Sequence, residues 1–282
     1  MKLISKGNVN SYPEIASKVN NRKTKPPKFK SQFSTNNTIQ MQYNNGDQLL
    51  LKGYSGGNIT YFTIVPSQTQ PVNFEFIQCE DLVGNNYPVV NIGTQTWMAR
   101  NLNYDPNTGN STCYNDNPTN CEIYGRLYDW AKLMNGEGSS NSVPSGIQGL
   151  CPSGWHIPSD GEWSELVNFL GGEFLAGGSM KNTGTNLWDS PNLGATNSSG
   201  FTAFPAGAFT TIGSFANLGS GTTFWSTTEV SGVSNARIRS LTNNSANLFD
   251  QLLVKQPIYL AVVSRINLKL CINLLNNAWI IH

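Results

Sequence analysis

The chain has 282 residues, with 18 Lys plus Arg against 17 Asp plus Glu. A net charge of +1 excludes a nucleic-acid binder driven by phosphate neutralisation. Only 12 % of residues are charged, where an average globular domain has roughly 25 %; Asn, Ser, Thr and Gly supply the polarity instead, which excludes a long solvent-facing helical protein and fits a loop-rich, β-rich one.

The amino end, "MKLISKGNVNSYPEIASKVN", lacks the apolar stretch of roughly 7–15 residues that an export signal needs. Either the chain is cytosolic or its true start lies elsewhere. No run in the chain reaches the roughly 18 apolar residues of a membrane helix. Residues 1–33 read as a flexible basic arm, since "NNRKTKPPKFK" has little to bury. The arm is a solvated linker, or alternatively a contact to an acidic surface.

Residues 34–82 read as a small antiparallel β module. "TIQMQY", "DQLLLKGYSG", "NITYFTIVPS" and "PVNFEFIQCE" are β-rich and divided by Asn-Gly, Gly-Gly and Pro signals. Val72, Phe74 and Phe76 alternate with Asn73 and Glu75, and Ile77 breaks the pattern.

Residues 83–282 form a second unit. "YPVVNIGTQTWMARNLNYD" predicts two strands around Gly93. "CEIYGRLYDWAKLMNG" predicts one helix with Leu127, Trp130, Ala131 and Met134 on its apolar stripe and a stop at Asn135-Gly136. In "CPSGWHIPSDGEWSEL", Ser159 and Glu162 have the S-x-x-E spacing of a helix capping box. Trp163, Leu166, Val167 and Leu170 then form a stripe ending at Gly171-Gly172. From 173 to 250 helix signals are few, and "FTAFPAGAF", "TTFWSTTEV" and "NARIRSLT" are strand candidates. Between them run long loops.

These blocks carry a family resemblance. In order, "NNYPVVNIGTQTWMARNLNYD", "CYNDNPTNCEIYGRLYDWAKLMN", "GLCPSGWHIPSDGEWSELVNFLGG", "SSGFTAFPAGAF", "FWSTTE" and "NARIRSL" resemble the Fibrobacter succinogenes major paralogous domain over about residues 84–250. The resemblance implies an α+β, C-type-lectin-like fold: two helices, a small antiparallel sheet and long loops. It also implies a bacterial cell-surface or secreted protein, of the kind found in gut and rumen bacteria. The function it implies is non-enzymatic binding or adhesion, with a glycan or protein met by the loop face, no cofactor and no nucleic acid. A structural surface spacer is a further reading. The related formylglycine-generating enzymes have a block similar to "GWHIPSDGEW", but their activity needs a cysteine pair late in the domain, and only Cys271 follows Cys151.

The cysteines are Cys79, Cys113, Cys121, Cys151 and Cys271, with no C-x-x-C pair and only His156 and His282 as histidines. Disulfides fit this better than zinc and point to an oxidising compartment. Cys113 and Cys121 enclose the turn-rich "YNDNPTN", where a local bridge would rigidify the loop. The resemblance implies a second bridge, Cys151 to Cys271. Cys151 and His156 would be the pair to test for thiol chemistry, but no third orienting residue is evident.

Asp105, Asn107 and Asp116 form a weak calcium candidate, set against the ordinary use of Asp and Asn in turns. Trp97, Trp130, Trp155, Trp163 and Trp225 lie in the matched blocks and are expected in the core. Trp188 lies in the loops, where a sugar ring could stack on it; packing is the competing reading. Some proteins of this resemblance are diversified by retroelements. In such a hypervariable receptor Arg237, Ser240, Asn243, Asn244 and Asn247 would line the ligand face; an ordinary polar strand and turn is the alternative. The tail after about 255 is atypical: "LKLCI" replaces the family's last strand, or the end is altered.

Overall fold

The structure is a computed structural model and describes residues 2–6, 43–68, 70–109, 111–232, 234–255, 260–261, 265–266 and 277–281. It is mixed α+β, with several sheets and few helices. Its strands are β1 (Lys2–Lys6), β2 (Leu49–Ser55), β3 (Asn58–Ile64), β4 (Gln70–Phe74), β5 (Pro88–Ile92), β6 (Gln95–Met98), β7 (Ser111–Thr112), β8 (Leu127–Tyr128), β9 (Ala206–Phe209), β10 (Phe215–Leu218), β11 (Gly221–Glu229), β12 (Asn235–Thr242), β13 (Phe249–Val254), β14 (Arg265–Ile266) and β15 (Asn277–Ile281). Its helices are α1 (Pro118–Tyr124), α2 (Trp130–Met134), α3 (Asp160–Phe169) and α4 (Glu173–Met180).

Two sheets carry the fold, with strand orders β1-β2-β3-β5-β6-β14 and β10-β9-β11-β12-β13. β2 turns into β3 through Gly56-Gly57, whose φ values of 57° and 94° suit a two-residue hairpin loop. β3 then pairs with β5 in parallel, Ile59 opposite Pro88. The upstream hairpin and the downstream strands therefore share one sheet. β9 and β11 are also parallel. These two pairs correct the expectation of a purely antiparallel sheet: each is joined by an excursion through another strand rather than by a tight turn. Of the arm predicted over 1–33, only β1 lies within the described residues, and there the chain is a strand paired with β2.

The alternation in β4 holds. Val72 and Phe74 are buried with Leu49 and Leu51 in a minor cluster, while Asn73 is exposed. Ile77 belongs instead to a main core cluster, so the broken alternation marks where the chain passes from one core to the other.

Among the described residues there are four α-helices, where two were expected. Gly125 breaks the helix predicted over "CEIYGRLYDWAKLMNG", because its φ is 81° and a Cβ there would lie 2.5 Å from that of Asn101. Leu127 and Tyr128 then form β8 against β7. Asp129 restarts the helix by accepting a hydrogen bond from the Lys132 amide at 2.6 Å. Ala131, expected on the apolar stripe, is exposed. α4 is the other addition, in a stretch where helix signals are few.

All five tryptophans expected in the core are buried. Trp163 on α3 centres an aromatic cluster, 4.8 Å from Trp97 and 5.6 Å from Phe224 between ring centroids. Leu260 and Ala261 of the atypical tail are also core residues. Leu260 exchanges two backbone hydrogen bonds of 2.9 Å with Tyr128, and Ala261 bridges Phe224. "LKLCI" lies outside the described residues.

Candidate ligand-binding cleft

The register of the five-stranded sheet builds the site. Trp225 faces Ile238, and Thr223 faces Ser240, across β11 and β12. Gln251 on β13 faces Ile238. Facing residues share a side of the sheet. Trp225 and Ile238 carry that side into the core, and Thr223, Ser240 and Gln251 continue it beyond the core's edge. There β9 and the loops after β10 and β12 complete a cleft of about 400 Å³, within the roughly 300–1,000 Å³ of small-ligand sites.

The cleft is polar without charge. It presents the hydroxyls of Thr223 and Ser240, 3.1 Å apart, and the amides of Asn217, Asn243, Asn244 and Gln251. Among the described residues, none that lines the cleft carries an ionisable side chain. Such a surface can donate and accept hydrogen bonds. Asn217 enters by turn chemistry: its φ of 65° is one that asparagine tolerates better than most residues.

Of the expected ligand residues, the structure brings Ser240, Asn243 and Asn244 together in this cleft. The Asn243 amide donates to the Ser190 carbonyl at 3.1 Å, and Asn244 accepts from the Thr242 hydroxyl at 2.8 Å. Arg237 and Asn247 are not among the residues that line it. Strand alternation turns Arg237 to the other side of β12, where it pairs with Asp250 at 3.0 Å and Asp160 at 3.5 Å. Asn247 packs its carbonyl against α4, 2.2 Å from where a Cβ on Gly177 would stand. Trp188 is a correction. It is 0 % exposed and its indole N–H donates to the Ala203 carbonyl at 3.0 Å, so no sugar can stack on it.

The calcium candidates have other partners. Asp105 pairs with Arg126 and accepts from the Asn107 amide at 2.8 Å, and Asp116 accepts from the Thr112 hydroxyl at 2.6 Å. Among the described residues, no group of three or more His, Cys, Asp or Glu is placed to hold a metal ion. Cys113 and Cys121 are joined by a disulfide. Cys271, and with it the expected bridge to Cys151, lies outside the described residues.

The capping box is present in full. Ser159 Oγ accepts from the Glu162 amide at 3.2 Å, and Glu162 Oε2 accepts from the Ser159 amide at 2.9 Å. Glu162 is fully buried and also takes the Ser145 amide at 3.2 Å and His156 Nε2 at 2.8 Å. His156 therefore serves the same scaffold.

Sequence reasoning missed two charged features. Arg239, with a side chain 4 % exposed, reaches Asp160 at 2.6 Å and also pairs with Asp250. Burial pushes the Asp160 carboxyl above its usual range, with Arg239 opposing. The signal was the Arg-x-Arg alternation of β12. The other feature is Lys181, wholly buried at the end of α4, for which no local signal exists.

Fold and cleft together define a mixed α+β domain that presents an uncharged polar cleft on one sheet. The chain belongs to the Fibrobacter succinogenes major domain family, whose model matches residues 90–262, more than half of its length. No curated protein and no solved structure matches it. Among the described residues, no helix is long and apolar enough to cross a membrane.

Proposed function

We propose that the chain is a non-enzymatic binding module, secreted or displayed at a cell surface, whose glycan or protein ligand enters the cleft on β9, β11, β12 and β13. The observation that carries this reading is the lining: hydroxyls and amides on strands and adjoining loops, with no ionisable side chain among the described residues. Such a cleft suits an uncharged, hydrogen-bonding ligand. We read the architecture as C-type-lectin-like, a reading supported by the family membership and by the loops that run across the sheet's end. The Cys113–Cys121 disulfide supports an oxidising compartment. Cys151 and His156 are both buried, and His156 Nε2 is engaged by Glu162, which argues against thiol chemistry there.

One observation favours a second reading, a receptor diversified by a retroelement: Ser240, Asn243 and Asn244 share the cleft. A reverse transcriptase and template repeat beside the gene would support it, and a neighbourhood without them would remove it.

The binding reading is tested by exposing the full chain to arrays of glycans and of secreted proteins, with Gln251→Trp in parallel. Gln251 is exposed on β13, so the indole fills the cleft without entering the core. The expected result is a defined set of ligands whose binding weakens by about tenfold or more in the variant. Blank arrays, or binding unchanged in Gln251→Trp, would contradict it.

A further inference from the structure

Lys181 closes α4 with its side chain wholly inside the protein. Its ammonium donates to three backbone carbonyls, Leu193 at 2.9 Å, Thr242 at 2.9 Å and Ser245 at 2.8 Å. It also lies 5.4 Å from the centre of the Trp188 ring. No carboxylate pairs with it among the described residues. Leu193 lies in the loop after Trp188, Thr242 ends β12, and Ser245 lies in the loop that follows, which includes the cleft residues Asn243 and Asn244.

The rest of α4 is shaped for the same loops. Glycine inside a helix is unfavourable, yet Gly177 and Gly178 stand side by side there. A Cβ on Gly177 would meet the Asn247 carbonyl at 2.2 Å, and one on Gly178 the Gly194 carbonyl at 2.4 Å. The Gly178 amide donates to the Ala246 carbonyl at 2.8 Å. The loops are also bonded to each other, Leu193 amide to Asn243 carbonyl at 2.7 Å. Three carbonyl dipoles aimed at one point need a positive charge or strong donors between them.

We propose that the Lys181 ammonium is the built-in cation that orders the two loops against α4 and so fixes the cleft's rim at Thr242–Asn244. Lys181 is a positioning residue: it touches no ligand and acts through the carbonyls it holds. Its consequence for binding rests on the reading of the cleft given above; its role in ordering the loops does not.

Hydrogen–deuterium exchange on the full chain tests it, with wild type, Lys181→Met and Lys181→Gln. Lys181→Met keeps the apolar stem and removes every donor, while Lys181→Gln keeps a shorter donor. Exchange in peptides covering 189–196 and 242–247 is expected to rise by about tenfold or more in Lys181→Met and by less in Lys181→Gln, with the 88–98 hairpin unchanged. Folded Lys181→Met with unaltered loop exchange would overturn the proposal. If Lys181→Met does not fold, Lys181→Gln decides by the same comparison. Loss of the fold in both would make Lys181 a determinant of the whole core and contradict a local role. Ligand binding measured on the same samples separates the two ideas: loosened loops in a chain that binds nothing in wild type would sustain the role of Lys181 and sink the binding reading.

Discussion

Arg237 and Arg239 stand two residues apart on β12 and share the same two aspartates, yet their weights differ. Arg239 is almost fully enclosed, whereas the Arg237 side chain is 38 % exposed. Arg239→Ala leaves Asp160 and Asp250 facing each other without their enclosed partner, a loss of about 3–5 kcal/mol. Arg237→Ala removes a solvent-screened pair and costs under about 1 kcal/mol. Urea unfolding of the two variants checks this, and equal losses would contradict it. Lys181 gives a prediction of opposite character. Burial lowers its pKa from 10.5 to about 8. Between those values the unfolded chain binds a proton that the folded chain does not, so Lys181 makes stability rise with pH across that window. The stability difference between wild type and Lys181→Met should therefore move in favour of wild type from about pH 7.5 to about pH 9.5. A flat difference would refute the shift. At this scale the capping box was legible because its partners lie three residues apart. The bonds from Glu162 to His156 and Ser145 were not, since they depend on how the chain returns from 145 to 156.

Among the elements, strands announced themselves by alternation and helices by caps, but short interruptions hid themselves. Gly125 offered a helix break in the sequence, yet the apolar spacing of 127–134 read across it. Its φ of 81° and the close approach of Asn101, neither visible in the sequence, make glycine necessary there. α4 was obscured by Gly177 and Gly178, which lower helix propensity and are explained only by the loops packed on them. The Cys113–Cys121 bridge, in contrast, was readable from its short turn-rich loop. Between the two cysteines, Tyr114 packs against Phe215 of β10, 5.1 Å between centroids. Its ring also lies beside Gly207 of β9. Opening the bridge should cost roughly 2–3 kcal/mol from loop entropy and loosen the β9–β10 side of the cleft. Thermal unfolding with and without reductant measures the loss, which Cys113→Ala/Cys121→Ala should abolish. A reductant effect that persists in the double variant would place it elsewhere.

Across the whole molecule, the family and the mixed α+β architecture followed from six ordered blocks of sequence, whereas the cleft did not. It is assembled from strands and loops between Gly207 and Gln251 that meet only through strand register, so three of the five expected residues, Ser240, Asn243 and Asn244, line it, while alternation along β12 turns Arg237 to the other side. On the proposed function, this uncharged lining calls for a ligand held by hydrogen bonds and shape rather than by ion pairs. The direct measurement is calorimetric titration of the full chain with its strongest array ligand at about 0.05 M and about 0.5 M salt, with Gln251→Trp alongside. Dissociation constants that agree within about twofold at the two salt concentrations are expected, with binding weaker by about tenfold or more in the variant. Affinity that falls by about tenfold or more with salt, or is unchanged in Gln251→Trp, would contradict a ligand held by hydrogen bonds in this cleft.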